Sequence, residues 1–157
     1  MKKLFTVFAL ALLINAVSFA QDADPSVLPF LNSLKVFLLE EGYASKIDED
    51  GDLQFKSEGD TYWYSVSQNS DGTFYVRFCR ASMGATDADM YAVYRAANQV
   101  TAEYKCGKCY VSSGRVRYSV EFFAESPAYA KRFFSRHLSI LGSLEEDCKK
   151  YYSQYSD

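Results

Sequence analysis

Residues 62–80 read YWYSVSQNSDGTFYVRFCR, two alternating segments on either side of the turn Asn69-Ser70-Asp71-Gly72. Such alternation is typical of a strand with one buried face, and Asp-Gly between two such segments is typical of a hairpin. One face then carries Tyr62, Tyr64, Val66, Phe74, Val76 and Phe78. The opposite face carries Trp63, Ser65, Tyr75, Arg77 and Cys79. We therefore predict a β-hairpin whose first set of side chains enters the core.

Four more strands are predicted around this hairpin. Residues 44–48 and 53–57 flank an acidic turn with an Asp-Gly pair, and residues 109–112 and 115–124 are joined at Ser113-Gly114. Both junctions have the small and polar residues that hairpin turns require.

A helix is predicted over residues 27–41, before the strands. Asp24 or Ser26 is the expected N-terminal cap, and Gly42 is expected to end the helix. Its apolar stripe consists of Leu28, Leu31, Leu34 and Leu38.

Two further helices are predicted from their starting sequences. Thr86 and Asp89 have the spacing of a capping box, and Ser126-Pro127 places a proline in a first helical turn. The stripe of the middle helix is Met90, Val93, Tyr94, Ala97 and Thr101. The stripe of the last helix is Ala130, Phe133, Phe134, His137, Ile140, Leu141, Leu144 and Cys148.

The order of these elements, α-β-β-β-β-α-β-β-α, predicts the fold class. Consecutive hairpins with helices grouped around them are typical of an α+β domain. We expect an antiparallel sheet of about five to six strands with the helices packed on one face.

The first twenty residues have the plan of a cleavable signal peptide. Lys2 and Lys3 precede an apolar run over residues 4–17, and the small residues Ser18 and Ala20 stand before Gln21. The run of about 14 residues is shorter than the ~20 that span a bilayer. We therefore expect a periplasmic or secreted domain of residues 21–157, without membrane attachment after cleavage.

The charge of that domain argues against nucleic acid as a partner. Loss of Lys2 and Lys3 leaves 15 of the 17 basic residues against 20 acidic residues, a net charge of −5. Proteins that bind nucleic acid present a basic surface to the phosphates.

The chain resembles the YbjN-like family, whose fold is similar to that of class I type III secretion chaperones. The resemblance extends from about residue 27 to 152, and the Cys106–Cys109 motif is not part of it. The residues that carry it are Asp48-Glu49-Asp50-Gly51-Asp52-Leu53-Gln54-Phe55, Glu58-Gly59, Tyr62, Ala96-Ala97-Asn98 and the closing helix rich in Phe and Leu. It implies a non-enzymatic regulatory or partner-binding module and transfers no catalytic residues.

Four cysteines, Cys79, Cys106, Cys109 and Cys148, are the disulfide candidates. An exported protein favours disulfide bonds, and four cysteines allow three pairings. The alternative function is a periplasmic thiol-disulfide oxidoreductase that uses Cys106 and Cys109. Such a motif normally opens a helix, whereas here it follows one, so we expect structural cysteines.

Other residue patterns do not predict a catalytic or metal site. Asp48, Asp50 and Asp52 resemble the start of a calcium loop, but Leu53 and Gly59 occupy the positions that need Gly and Glu. His137, the single histidine, lies on the apolar stripe of the last helix and is expected to be a partly buried packing residue. We expect no catalytic residues, metal or cofactor.

The predicted binding residues are Trp63, Tyr75 and Arg77, on the face of the hairpin opposite the core. Tryptophan, tyrosine and arginine dominate the energetics of interfaces. We expect them to bind a protein or peptide partner, or a second copy of the chain.

Processing of the signal peptide is directly testable. We expect intact-mass analysis of the exported protein to give a chain that begins at Gln21, since Ser18 and Ala20 form the cleavage site. A mature species that retains residues 10–17 contradicts this expectation.

Overall fold

The computed structural model describes residues 24–82 and 89–156. The predicted signal peptide, its cleavage point before Gln21 and the capping residue Thr86 lie outside these residues.

The fold is an α+β domain, as predicted. The described helices are α1 (Leu28–Glu40), α2 (Met90–Glu103), α3 (Pro127–Arg132) and α4 (Phe134–Tyr155). The strands are β1 (Ser45–Ile47), β2 (Leu53–Ser57), β3 (Asp60–Gln68), β4 (Phe74–Ala81), β5 (Gly107–Ser112) and β6 (Arg115–Ala124). They form one antiparallel sheet of 6 strands in the order β1-β2-β3-β4-β6-β5.

The core lies between the helices and one face of the sheet, which we call the inner face. Phe78 is fully buried there, with its ring centroid 6.0 Å from that of Phe55 and 6.1 Å from that of Phe134 in α4. The inner-face assignment of the hairpin is confirmed, because Tyr62, Tyr64, Val76 and Phe78 are all buried. The opposite side of the sheet is the outer face.

The predicted extent of the first helix is correct, but the predicted N-terminal cap is not. Val27 is the N-cap residue, and no side chain caps the helix. The Asp24 carboxylate instead accepts a hydrogen bond from the Ser26 N–H at 2.9 Å, just before the N-cap residue. Gly42 ends the helix as predicted, with a φ of 89° that glycine adopts at little cost.

The predicted stripe of α2 is wrong at two positions. Tyr94 is 56% exposed and Thr101 lies at the sheet edge, while the buried positions are Ala92, Val93, Ala96, Ala97 and Val100. The buried positions of α2 hold only alanine and valine, whereas the larger Tyr94 ring lies at the surface. Asp89 is the N-cap, and its carboxylate accepts hydrogen bonds from the N–H groups of Tyr91 and Ala92.

The predicted last helix is two helices. The chain leaves helical geometry at Phe133, with φ −103° and ψ 10°, and α4 begins at Phe134. Phe134 is buried in the aromatic core, while Phe133 contacts Tyr129 and His137. None of the helices in the described ranges has the length and apolar character needed to cross a membrane.

Thr101 of α2 hydrogen-bonds to the free edge of β5, the last strand of the sheet. The Cys109 N–H donates to Thr101 Oγ1 at 2.9 Å, and the same hydroxyl donates to the Cys109 carbonyl at 2.7 Å. Both backbone groups point away from β6, so without Thr101 they would lie at an unpaired strand edge.

We expect Thr101→Val to destabilise the protein by about 2 kcal/mol, because two backbone groups of a buried residue lose their partner. Urea unfolding followed by circular dichroism measures this change. Thr101→Ser is the matched control, since it retains the hydroxyl and should cost much less. Equal losses in the two variants would contradict the role of the hydroxyl.

Candidate functional site

The outer face is assembled from four neighbouring strands. Its described side chains from β3 to β6 include Trp63, Ser65, Tyr75, Arg77, Cys79, Lys108, Tyr110, Arg115, Arg117, Ser119, Glu121 and Phe123. The described helices pack on the inner face, so within residues 24–82 and 89–156 no helix covers this surface.

One end of the outer face is formed by Trp63 and Arg117. The Arg117 guanidinium lies 5.3 Å from the centre of the indole ring, within the range of a cation–π contact. The pair borders a groove of about 360 Å³ that is also lined by Arg115 and by the acidic residues Asp48, Asp50 and Asp52. Burial raises the pKa of the Asp52 carboxyl, although a hydrogen bond with Ser65 opposes the shift.

The other end is organised around Glu121. The Tyr75 hydroxyl donates to Glu121 Oε2 at 2.5 Å, the Ser119 hydroxyl donates to Oε1 at 3.1 Å, and Lys108 forms an ion pair with the same carboxylate. Burial alone would raise the pKa of Glu121, but the hydrogen bonds from Lys108 and Tyr75 lower it. Beside this cluster the ring of Phe123 is 69% exposed and lies 5.6 Å from that of Tyr75.

Cys79 lies between the two ends and is fully buried although it belongs to the outer face. Trp63 is its partner in register, and Arg77 flanks it two residues along the strand. The small thiol therefore has two large side chains as neighbours on this face. Burial raises the pKa of Cys79 to about 12, so the group stays protonated at neutral pH.

Two of the outer-face arginines, Arg77 and Arg117, have unused hydrogen-bonding capacity. Their Nε atoms are buried and have no hydrogen-bond partner among the described residues, although Arg77 lies opposite Glu121 in register. In the described part of the chain, neither guanidinium belongs to an ion pair. Unpaired buried donors of this kind are costly, and they favour a ligand that supplies acceptors.

All three predicted binding residues lie on the outer face, but they do not form one contact. Trp63 and Arg77 are diagonal neighbours across β3 and β4, while Tyr75 is engaged by Glu121 at the far end. Sequence reasoning missed Arg117, Glu121 and Phe123. These residues join the site through the pairing of β4 with β6, which alternation within β6 alone does not reveal.

The four cysteines occupy different environments. Cys106 is exposed, just beyond the carboxyl end of α2, and Cys79, Cys109 and Cys148 are buried. Cys109 Sγ lies 3.5 Å from Cys148 Sγ on the inner side of the sheet. No disulfide is formed among the described cysteines.

The glycine of the Cys106–Cys109 motif has a packing role. A Cβ atom at Gly107 would lie 3.0 Å from both terminal methyl carbons of Leu144 in α4. A side chain at this position would require the Leu144 side chain to shift, so close helix–strand contact favours the glycine.

A cavity of about 410 Å³ lies on the inner side, between the sheet, α2 and α4. Arg80 at its margin forms ion pairs with Asp60 at 2.6 Å and Glu145 at 2.5 Å. Cys148 and Tyr118 line its wall.

The acidic turn at Asp48 and the single histidine, His137, both make contacts that stabilise the fold. Asp48 accepts hydrogen bonds from the N–H groups of Asp50 and Asp52 and so closes the acidic hairpin. His137 is 7% exposed, its ring centroid lies 4.7 Å from that of Phe122, and burial lowers its pKa.

Comparison of the chain with protein-family models, with curated proteins and with solved structures finds no match in any of the three. The relation to the YbjN-like family therefore stays a prediction from the sequence.

The covering of Cys79 is testable by thiol chemistry. In reduced Cys106→Ser protein, we expect Trp63→Ala to speed the reaction of Cys79 with a disulfide reagent at least about tenfold, because the thiol loses its cover and its high pKa. The control is Tyr91→Ala, which removes a ring that is 70% exposed on α2. Unchanged reactivity in the Trp63 variant would show that the indole does not shield the thiol.

Proposed function

We propose that this protein is an exported, non-enzymatic binding module of the YbjN-like type. Its outer face captures a protein or peptide segment that carries carboxylate and apolar side chains. A second copy of the chain is one such partner. The observation that carries the proposal is the pair Arg77 and Arg117, whose buried Nε atoms have no partner, on a face that no helix covers within residues 24–82 and 89–156.

The chemistry of the outer face favours an acidic and partly apolar partner. A carboxylate offers acceptors that match the planar guanidinium groups, and arginine forms bidentate bonds with it. Phe123 and Trp63 supply apolar area on either side of the arginines. Aromatic residues flanking arginine are typical of interface hot spots.

The alternative, a thiol-disulfide oxidoreductase, has less support from the geometry. Cys106 follows the carboxyl end of α2, where the helix dipole disfavours a thiolate. Its intended partner Cys109 is buried and is directed toward Cys148. A catalytic pair needs one accessible thiol of low pKa and a resolving thiol within reach.

Trp63 is the only tryptophan of the chain, so its fluorescence reports directly on this face. We expect a peptide of alternating Glu and Phe to change that fluorescence saturably. A Lys/Phe peptide of equal length should leave it unchanged. Arg77→Gln combined with Arg117→Gln should weaken binding by about thirtyfold or more, since each of the two lost charged contacts at an interface centre costs ~1–2 kcal/mol.

The matched control is Arg95→Gln, whose guanidinium lies 4.1 Å from the centre of the Tyr155 ring on the helical side. Sedimentation velocity of the same variants, and of Trp63→Ala with Arg77→Ala, tests self-association. Circular dichroism shows whether each variant is folded. The proposal fails if the folded arginine variant binds peptide and self-associates like the native protein, or if the Arg95 control is weakened equally.

A further inference from the structure

We propose that Cys109 and Cys148 are oxidised to a disulfide that joins β5 to α4, and that Cys148 is the thiol that attacks the oxidant. Cys79 and Cys106 remain thiols.

The pairing follows first from proximity. Cys109 and Cys148 are 3% and 4% exposed, and their sulfur atoms lie 3.5 Å apart across the interface of strand and helix. A disulfide bond is about 2.05 Å long, so closing it requires a sulfur movement of roughly 1.5 Å.

The other pairings are opposed by the sheet itself. Cys79 lies on the outer face, so the sheet separates it from the Cys109–Cys148 pair. Gly107 faces Leu144 on the inner side, which places Cys106 on the opposite side of the strand by alternation. Cys106 and Cys109 are therefore directed to opposite faces, and three extended residues separate them by ~10 Å.

Access makes Cys148 the attacking group. Cys148 lines the cavity of about 410 Å³, whose margin includes the 71% exposed side chain of Lys149, whereas Cys109 is not among the lining residues. A small disulfide therefore has a route to this sulfur. The hydrogen bonds that Cys148 shares with Cys109 and Tyr118 lower its pKa, and burial opposes them.

The reaction is thiol–disulfide exchange with a low-molecular-weight disulfide, such as oxidised glutathione. The Cys148 thiolate attacks one sulfur of the reagent, forms a mixed disulfide and releases one glutathione thiol. The Cys109 thiolate then attacks Cys148 Sγ, forms the protein disulfide and releases the second glutathione. The two cysteines lose two protons and two electrons, and the reagent takes up both.

Peptide mapping tests the pairing, because trypsin separates all four cysteines. They fall in peptides 78–80, 106–108, 109–115 and 137–149. After the folded protein is treated with oxidised glutathione and free thiols are blocked, we expect peptides 109–115 and 137–149 to be joined. Reduction should separate them. A link between 106–108 and 109–115, or free Cys109 and Cys148, would overturn the proposal.

Single variants test the order of attack. Cys109→Ser should accumulate a stable glutathione adduct on Cys148. In Cys148→Ser, oxidised glutathione should modify Cys109 at least about tenfold more slowly than it modifies Cys148 in Cys109→Ser. Cys106→Ser is the control and should form the link at the native rate. If Cys109 is modified faster than Cys148 in variants that circular dichroism shows to be folded, then Cys109 is the attacking thiol and the proposed order of attack is wrong.

The oxidised native protein should melt roughly 5–15 °C above the reduced native protein, a comparison that involves no substitution. Equal melting temperatures, with the link shown to be present, would mean that the bond does not stabilise the contact of β5 with α4.

Discussion

Hydrogen bonds in the turn between β3 and β4 hold the two central strands in their register. The Asn69 N–H donates to the Thr73 carbonyl at 2.8 Å, and the Asp71 carboxylate accepts from the Thr73 N–H at 2.9 Å and its hydroxyl at 2.6 Å. Gly72 has a φ of 84°, which a tight turn of this kind requires.

This register decides which side chains meet the helices. Tyr64 pairs with Phe78 and Trp63 with Cys79, so the first pair enters the core and the second lies on the outer face. A slip of one residue would exchange the faces and place Arg77 beneath Phe134. The aromatic core and the outer face therefore depend on the same turn.

The outer face is not uniformly solvated. Cys79 is fully buried there, and in the described part of the chain the buried Nε atoms of Arg77 and Arg117 have no hydrogen-bond partner. Each such nitrogen carries a desolvation cost. These atoms are the basis on which we propose the outer face as a binding surface.

Local turn chemistry explains why much of the fold was predictable. The Asp-Gly and Ser-Gly turns are determined by neighbouring residues, and alternation then assigns the faces of β3 and β4. The stripe of α2 was not predictable in the same way. Ranking by hydrophobicity favours Tyr94 over Ala96, although close contact selects the smaller side chain.

The parts of the site that sequence reasoning missed depend on long-range pairing. Trp63 meets Arg117 only because β6 lies beside β4, and Cys109 meets Cys148 only because α4 crosses β5. The first pair is 54 positions apart in the sequence and the second pair 39, so no local pattern indicates either contact. A periodic pattern identifies the face of a strand but not its neighbour in the sheet.

Strand β5 connects the two proposals physically. Its inner residue Cys109 contacts α4, and its outer residues Lys108 and Tyr110 belong to the outer face. A covalent bond at Cys109 would restrict the strand that carries Lys108, the ion-pair partner of Glu121. Since Glu121 also accepts the bond from Tyr75, ordering of β5 would lower the conformational entropy that the outer face would lose on binding the proposed partner.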